Sequence, residues 1–193
     1  MKEIDLNLPD STLLYYPNFY SAEKADELFN ELLDGINWKE EQIKVFGKLH
    51  WQPRLTAFYA NNTNTYSYSS LKMKPNPFFL TLKKIKEDVE KIAGVSFTSC
   101  LANLYRDGKD SNGWHADDEK ELGKNPIIAS VSLGADRFFK FRHKKDAQLQ
   151  HKLLLEHGSL LIMKDETQHF WKHQLPKTQK QVEKRINLTF RII

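Results

Sequence analysis

Asn103-Leu-Tyr-Arg-Asp-Gly-Lys-Asp-Ser-Asn-Gly-Trp-His115-Ala-Asp117-Asp-Glu119 places an imidazole and a carboxylate two residues apart, just beyond a strand-like run. In extended chain, side chains at i and i+2 leave the same face with their Cα atoms about 6.6 Å apart, so both tips can converge on one ion. A third ligand must then come from elsewhere. The residues in between, Asp107, Gly108, Asp110, Asn112 and Gly113, are turn formers, and by themselves they read as a solvated turn.

Outward from this stretch, composition narrows the options. A chain of 193 residues with 40% hydrophobic content can bury one sizeable core, and no Ser/Gly/Pro-rich linker divides it. We expect a single domain over residues 1–193. The single cysteine, Cys100, rules out an internal disulfide or a cysteine cluster, so a bound metal would need histidines and carboxylates. Met1 to Pro9 contain no apolar run of signal-peptide length, and no later run approaches a membrane span. The expectation is a soluble, cytoplasmic protein (nuclear in a eukaryote), monomeric and without a membrane partner. A net charge of +4 and a pI near 9.0 permit a polyanionic partner without requiring one.

In chain order, Ser21 to Gly35 reads as an amphipathic helix capped by Ser21, with Leu28, Phe29, Leu32 and Leu33 at helical spacing. Between Trp38 and Ser70 the aromatic-rich segments Val45–Lys48 and Thr65–Tyr68 suggest a hairpin, in which Tyr66 and Tyr68 alternate with small polar residues. A second helix is expected from about Pro77 to Ala93, on the stripe Phe79, Leu82, Ile85, Val89 and Ile92, with Gly94 as its stop. No helix is expected beyond it. Strand-like runs follow at 100–105, 127–133, 138–142, 152–155, 159–163 and 185–193. The fold class is therefore α+β but mainly β, a sandwich or jelly roll with the helices packed on one sheet.

The last run is Arg185-Ile-Asn187-Leu-Thr189-Phe-Arg191. Its polar residues share one face and its apolar residues the other. Such alternation usually marks a solvent face. Two guanidinium forks flanking an amide and a hydroxyl also make a wall that fits a dicarboxylate. For the third metal ligand, His169 and His173 both qualify by position. Pro176 and the extended surroundings argue against a helix that would align the two, so only one should reach the ion. Two histidines and one carboxylate with open coordination positions are the pattern of non-haem Fe(II) oxygenases.

Taken together, from Val45 to Ile193, these motifs resemble the AlkB family of Fe(II)- and 2-oxoglutarate-dependent dioxygenases, and most closely its vertebrate-type nucleic-acid demethylases. The likeness rests on His115-Ala-Asp117, His173, Arg185-x-Asn-x-Thr-x-Arg191, Asn103-Leu-Tyr105, Pro126 to Gly134, Phe141-Arg-His143 and His157-Gly-Ser-Leu-Leu161. It implies a double-stranded β-helix whose mouth holds iron, with residues 45–70 as a nucleotide-recognition hairpin or lid. It implies His115, Asp117 and His173 as iron ligands, His173 being preferred to His169 because it precedes a Leu-Pro. Arg185 would pair with the distal carboxylate of 2-oxoglutarate and Arg191 with the proximal one, and Asn103, Tyr105, Asn187 and Thr189 would add hydrogen bonds. Substrate contacts would come from Tyr68 and Tyr66 in the groove, Phe46 as an intercalating wedge, Arg54, and Asp118 with Glu119.

The implied activity is oxidative demethylation of N-alkylated bases such as 1-methyladenine and 3-methylcytosine in alkylated DNA or RNA. Its cofactors would be Fe(II) and 2-oxoglutarate, and its products succinate, CO2 and formaldehyde. The same chemistry on an RNA modification or a protein side chain is the alternative. One departure stands out: duplex-preferring relatives carry three consecutive basic residues after the Leu-Pro, whereas this chain has Lys177-Thr-Gln-Lys180.

Overall fold

The computed structural model describes residues 2–45, 47–61, 66–68 and 71–193, with the backbone alone for 44, 45, 66–68, 71 and 72. The chain begins with β1 (Ile4–Asp5), β2 (Thr12–Tyr16), α1 (Ala22–Gly35), β3 (Lys39–Val45) and β4 (Lys48–Ala60). Then come β5 (Tyr66–Tyr68), β6 (Leu71–Met73), α2 (Leu80–Ala93), β7 (Ser99–Tyr105) and β8 (Asn112–His115). The remainder is β9 (Ile128–Gly134), β10 (Arg137–His143), β11 (Gln150–Leu155), β12 (Ser159–Lys164), α3 (Thr167–Phe170), β13 (Trp171–Leu175) and β14 (Arg185–Arg191).

Two antiparallel sheets build the jelly roll. The large one runs β1-β2-β12-β9-β14-β7-β4-β3, and the small one runs β11-β10-β13-β8. β14 lies at the centre of the large sheet between β9 and β7, and both of its faces are buried, one under the helices and the other against the small sheet. Ile186, Leu188 and Phe190 enter the core under the helices, with Leu28 and Leu32 of α1 and Leu82, Ile85 and Val89 of α2. Each such side chain, fully buried, contributes on the order of 1.5–3 kcal/mol. The opposite parity faces the small sheet. There a second core joins Leu101, Ile128 and Leu161 of the large sheet to Phe141, Leu155 and Trp171 of the small one.

The first helix has the expected form, with the Ser21 side chain accepting from the Lys24 N–H. The second begins three residues later than Pro77, at Leu80. Asn76 is held beside β4 instead, donating its N–H to the Phe58 carbonyl, so that stretch cannot coil. Gly94 ends the helix in the left-handed conformation, as expected. Contrary to expectation, helix does recur, in α3 and in a 3-10 turn at Lys120–Leu122.

The aromatic region also departs from the sequence reading. Among the described residues, Val45 pairs with Lys48 at the end of a long β3–β4 hairpin, with Gly47 at φ +80°, while Tyr66–Tyr68 of β5 pairs with β6 in a separate ribbon. β3, Lys-Glu-Glu-Gln-Ile-Lys-Val, escaped notice because it is an edge strand with polar residues on both sides and no alternation to read. Nor is the turn after β7 solvated throughout: Asp110 is buried and grips the Arg106 guanidinium with both oxygens. Arg137, also buried, donates to the carbonyls of Asp107, Asp110 and Pro176 and so ties that turn to the β13–β14 connection.

Gly134 tests this packing. Its φ is +86°, and a β-carbon there would collide with the Lys184 carbonyl oxygen and press on the Phe29 ring. Gly94 shares the left-handed backbone, but its surroundings are open. We expect Gly94→Ala to cost about 1–2 kcal/mol in denaturant unfolding. Gly134→Ala should cost clearly more, and equal losses would show that the collision is relieved without strain.

Candidate metal and co-substrate site

The antiparallel pairing of β13 with β8 sets His173 directly opposite His115. Their Nε2 atoms are 3.2 Å apart, and Asp117 Oδ2 lies 3.8 Å from His173 Nε2. An ion holding cis ligands at about 2.1 Å spaces its donors by about 3 Å, close to what is seen. His115 faces the Gly113 carbonyl through Nδ1 at 2.8 Å, and a carbonyl only accepts. That nitrogen therefore carries the proton in the neutral ring, leaving Nε2 with its lone pair toward the cluster.

Protonation states also suit a cation. Burial, reinforced by the neighbouring His115, lowers His173 to about 3. Burial also lowers His115, partly offset by Asp117. For Asp117 burial raises the carboxyl, but Arg191 and the two histidines outweigh it and hold it at about 2. Two neutral imidazoles and one carboxylate, all able to reach one point, are what a divalent metal requires. His169 is not part of this cluster. It stands exposed on α3 with Nε2 against Asn125 Oδ1.

Beside the cluster, the inward parity of β14 lines the same pocket: Arg185, Asn187, Thr189 and Arg191, joined by Asn103 and Tyr105 from β7. Arg185 is only 2% exposed. One of its amino groups donates to Ser132 Oγ, its guanidinium lies 5.3 Å from the Tyr105 ring centre, and its Nε has no hydrogen-bond partner among the described residues. Burial lowers it to about 10. A buried cation without a facing carboxylate is costly, and an incoming carboxylate would relieve that cost. Arg191 donates to Asp117 Oδ1 at 2.7 Å, both residues being buried. The anion wall and the metal cluster thus share one ion pair.

Several side chains expected to reach a bound molecule are engaged by the protein itself. The Asn187 amide donates to Ser130 Oγ and the Val131 carbonyl, while its oxygen accepts from Thr189. Asn103 accepts from Arg54 Nε at 2.8 Å, so its NH2 group is what it can offer the pocket. Arg54 is itself buried and also donates to the Ser111 carbonyl, which makes it a brace of the pocket wall. Asp118 is exposed and paired with Lys144 at 2.9 Å. Glu119 is half-buried; burial and then Asp117 raise its pKa, and its Oε2 has no partner among the described residues. Phe46 and the side chains of Tyr66 and Tyr68 lie outside the described residues.

The sequence reading missed Gln168. It is fully buried, and its Oε1 accepts the Asp117 N–H at 2.9 Å. Asp117 lies past the end of β8, so this backbone N–H is met by a side chain instead of a strand. No local pattern betrays a contact across 51 residues. Ser130 and Ser132 were missed as well, although their alternation with Ala129 and Val131 on β9 is a readable hint of a polar face.

A jelly roll with a His-Asp-His cluster beside a buried arginine wall defines a metal-dependent oxygenase that takes a dicarboxylate co-substrate. The sequence profile of the 2OG-Fe(II) oxygenase superfamily matches residues 12–191, and the chain belongs to that superfamily, whose cofactors are Fe(II) and 2-oxoglutarate. Within it the chain is of AlkB type. It is 42% identical over 186 residues to alpha-ketoglutarate-dependent dioxygenase alkB homolog 3 of Bos taurus, covering 92% of this chain and 64% of that protein. It is 39% identical over 188 residues to the DNA oxidative demethylase ALKBH2 of Homo sapiens, covering 92% and 72%. The chain thus spans just under two thirds of the first of these relatives. OsALKBH1 superposes with a TM-score of 0.68 over 100% of both chains at 16% identity, which shows the shared fold.

Titrating the metal-free protein with Mn(II) should show binding lost in His173→Ala and kept in His169→Ala. Gln168→Leu should weaken Mn(II) binding by about 10–100-fold, the usual cost of losing a group that orients a ligand. Undiminished affinity would make Gln168 a packing residue only.

Proposed function

We propose that this protein is an Fe(II)/2-oxoglutarate-dependent oxidative demethylase acting on N-methylated bases, 1-methyladenine and 3-methylcytosine, in DNA or RNA. The observation that carries the reading is the Arg191–Asp117 ion pair, which ties a metal-competent cluster to a pocket wall whose other arginine, buried Arg185, forms no ion pair among the described residues. The relatives' names, alkB homolog 3 and DNA oxidative demethylase, support the nucleic-acid substrate.

His115, Asp117 and His173 would hold the iron. With 2-oxoglutarate and O2, the bound metal supplies the oxidising power that hydroxylates the N-methyl carbon, which leaves as formaldehyde while the co-substrate leaves as succinate and CO2. Arg185 binds the distal carboxylate in a desolvated pocket, where Ser132 and Tyr105 fix the guanidinium's direction. Arg191, held beside Asp117, would meet the proximal carboxylate. Asn103, steadied by Arg54, and Tyr105 and Thr189 complete the polar lining, while Asn187 acts by holding Ser130 and Thr189 in place. Phe139 and Phe141 pack against the His173 ring and limit water.

On the substrate side, Asp118 and Glu119, which follow the ligand Asp117 in the chain, would supply acidic groups to the base. A base methylated on its pairing edge is cationic, so these carboxylates favour it over the unmethylated base. Methylation also weakens pairing and lowers the cost of bringing the base out of a duplex. Tyr66, Tyr68 and Phe46 complete the proposed lid as stacking and wedge residues. The whole chain works as a single catalytic domain and a monomer, in the cytoplasm or, in a eukaryote, the nucleus.

Incubation with Fe(II), 2-oxoglutarate and an oligonucleotide containing 1-methyladenine should yield adenine, with one formaldehyde released per base repaired. Turnover of 2-oxoglutarate with the base untouched would move the substrate to another class. Arg185→Ala should raise the 2-oxoglutarate requirement steeply, by the equivalent of about 2–5 kcal/mol. Its Mn(II) affinity should be unchanged.

A further inference from the structure

The turn between β11 and β12 carries a histidine that belongs neither to the metal cluster nor to the pocket lining. His157 accepts the Gly134 N–H through Nδ1 at 2.8 Å, its own N–H donates to Asp136 Oδ1 at 2.8 Å, and its Nε2 lies 3.2 Å from Asp26 Oδ1 on α1. Because Nδ1 accepts, the proton of the neutral ring sits on Nε2, toward Asp26. The register explains why a side chain is used here. β12 pairs with β9 from Met163–Ile128 to Ser159–Ser132 and then stops, so Gly134 lies two residues past the last pair. The His157 ring takes the place of the missing strand.

This end of β9 is also the mount of Arg185. In the ladder between β9 and β14 Arg185 lies directly opposite Gly134, and the Ala135 N–H donates to the Lys184 carbonyl at 3.0 Å. Ser132 Oγ accepts from the Arg185 guanidinium at 2.8 Å, and the Ser132 carbonyl accepts the Gly158 N–H at 2.9 Å. The turn thus grips β9 at two points, with Gly158 on Ser132 and His157 on Gly134. It is fastened in its turn to the rest of the fold, since Glu156 accepts from the Tyr15 hydroxyl at 3.0 Å and the Gly158 carbonyl takes the Tyr20 N–H at 2.9 Å.

A guanidinium fork meets a carboxylate well only when its plane is aligned, and a buried one is aimed by the few contacts it has. Resting on the assignment of Arg185 to the distal carboxylate of 2-oxoglutarate, we propose that His157 is a positioning residue for the co-substrate. By holding Gly134 it fixes the end of β9, and with it Ser132, where the Arg185 guanidinium is aimed into the pocket. Its influence should be confined to the distal carboxylate, because two of the three candidate metal ligands stand on the small sheet and Asp117 is braced by Gln168. A histidine that merely stabilised the fold would not distinguish one end of the co-substrate from the other.

The test measures, by calorimetry, the binding of two keto acids to the full chain loaded with Mn(II). One is 2-oxoglutarate; the other is 2-oxopentanoate, which has the same carbon chain with a methyl group in place of the distal carboxylate. Leu and Asn are alike in size, but only Asn offers an acceptor where Nδ1 lies. His157→Leu should weaken 2-oxoglutarate binding by about tenfold, the scale of one charge-assisted hydrogen bond put out of line. Its affinities for 2-oxopentanoate and Mn(II) should stay at wild-type values, and His157→Asn should recover most of the loss. If His157→Leu fails to fold, His157→Gln, whose side-chain oxygen reaches the Nε2 position and not that of Nδ1, should show the same selective loss. Arg185→Ala should abolish the preference for 2-oxoglutarate, and adding a His157 substitution to it should cost nothing more. Equal weakening of both keto acids, or Leu and Asn variants that behave alike, would overturn the inference. Loss of the preference in Arg185→Ala with the preference intact in His157→Leu and His157→Gln would overturn it while leaving the Arg185 assignment standing. A preference that survives in Arg185→Ala would refute that assignment and the inference with it.

Discussion

The contact between Arg191 and Asp117, 2.7 Å long and almost fully buried, is the constraint on which the rest of the site depends. A carboxylate so deep would otherwise be driven toward its neutral form, and a protonated acid is a poor metal ligand. The guanidinium keeps it ionised. The same contact joins the last strand's polar face to the cluster through one pair of side chains. Breaking such a pair from either side strands a buried charge, a loss of several kcal/mol that no local relaxation removes.

The fold supplies what that pair needs. β14 is sandwiched between β9 and β7, so its backbone is held rigidly on both sides while one face packs against the helices. On the small sheet, the register of β13 against β8 brings two imidazoles face to face without help from any loop. Only Asp117 lies off a strand, and Gln168 holds its backbone. The histidines thus inherit the stiffness of a ladder, and the carboxylate depends on a side-chain brace. Rigid elements with a small supporting shell are the general requirement for a preorganised metal site.

The small sheet uses its two faces for opposite purposes. Inward positions of β10 and β13 carry apolar rings and His173 of the candidate metal cluster, whereas outward positions carry cations that face one another. Repulsion across the ladder is tolerated because the inner face contributes enough buried area to hold the strands together.

By itself the sequence determined the parity of β14, the His-x-Asp pair, the two amphipathic helices and their stops, because each is a periodicity or cap within one element. It also carried enough ordered motifs to imply the family. What only the tertiary structure decided are relations between elements. Pairing of β3 with β4 and of β5 with β6, the seating of His173 opposite His115, and the bond from Gln168 to Asp117 depend on register between distant strands. So does the opposition of Lys140 to Lys152, which along the chain are merely two lysines among many. Local pattern tells a side chain which face of its own strand it takes. Which partner it meets there is set by how the hydrophobic faces of the whole molecule pack, and that has no local signature.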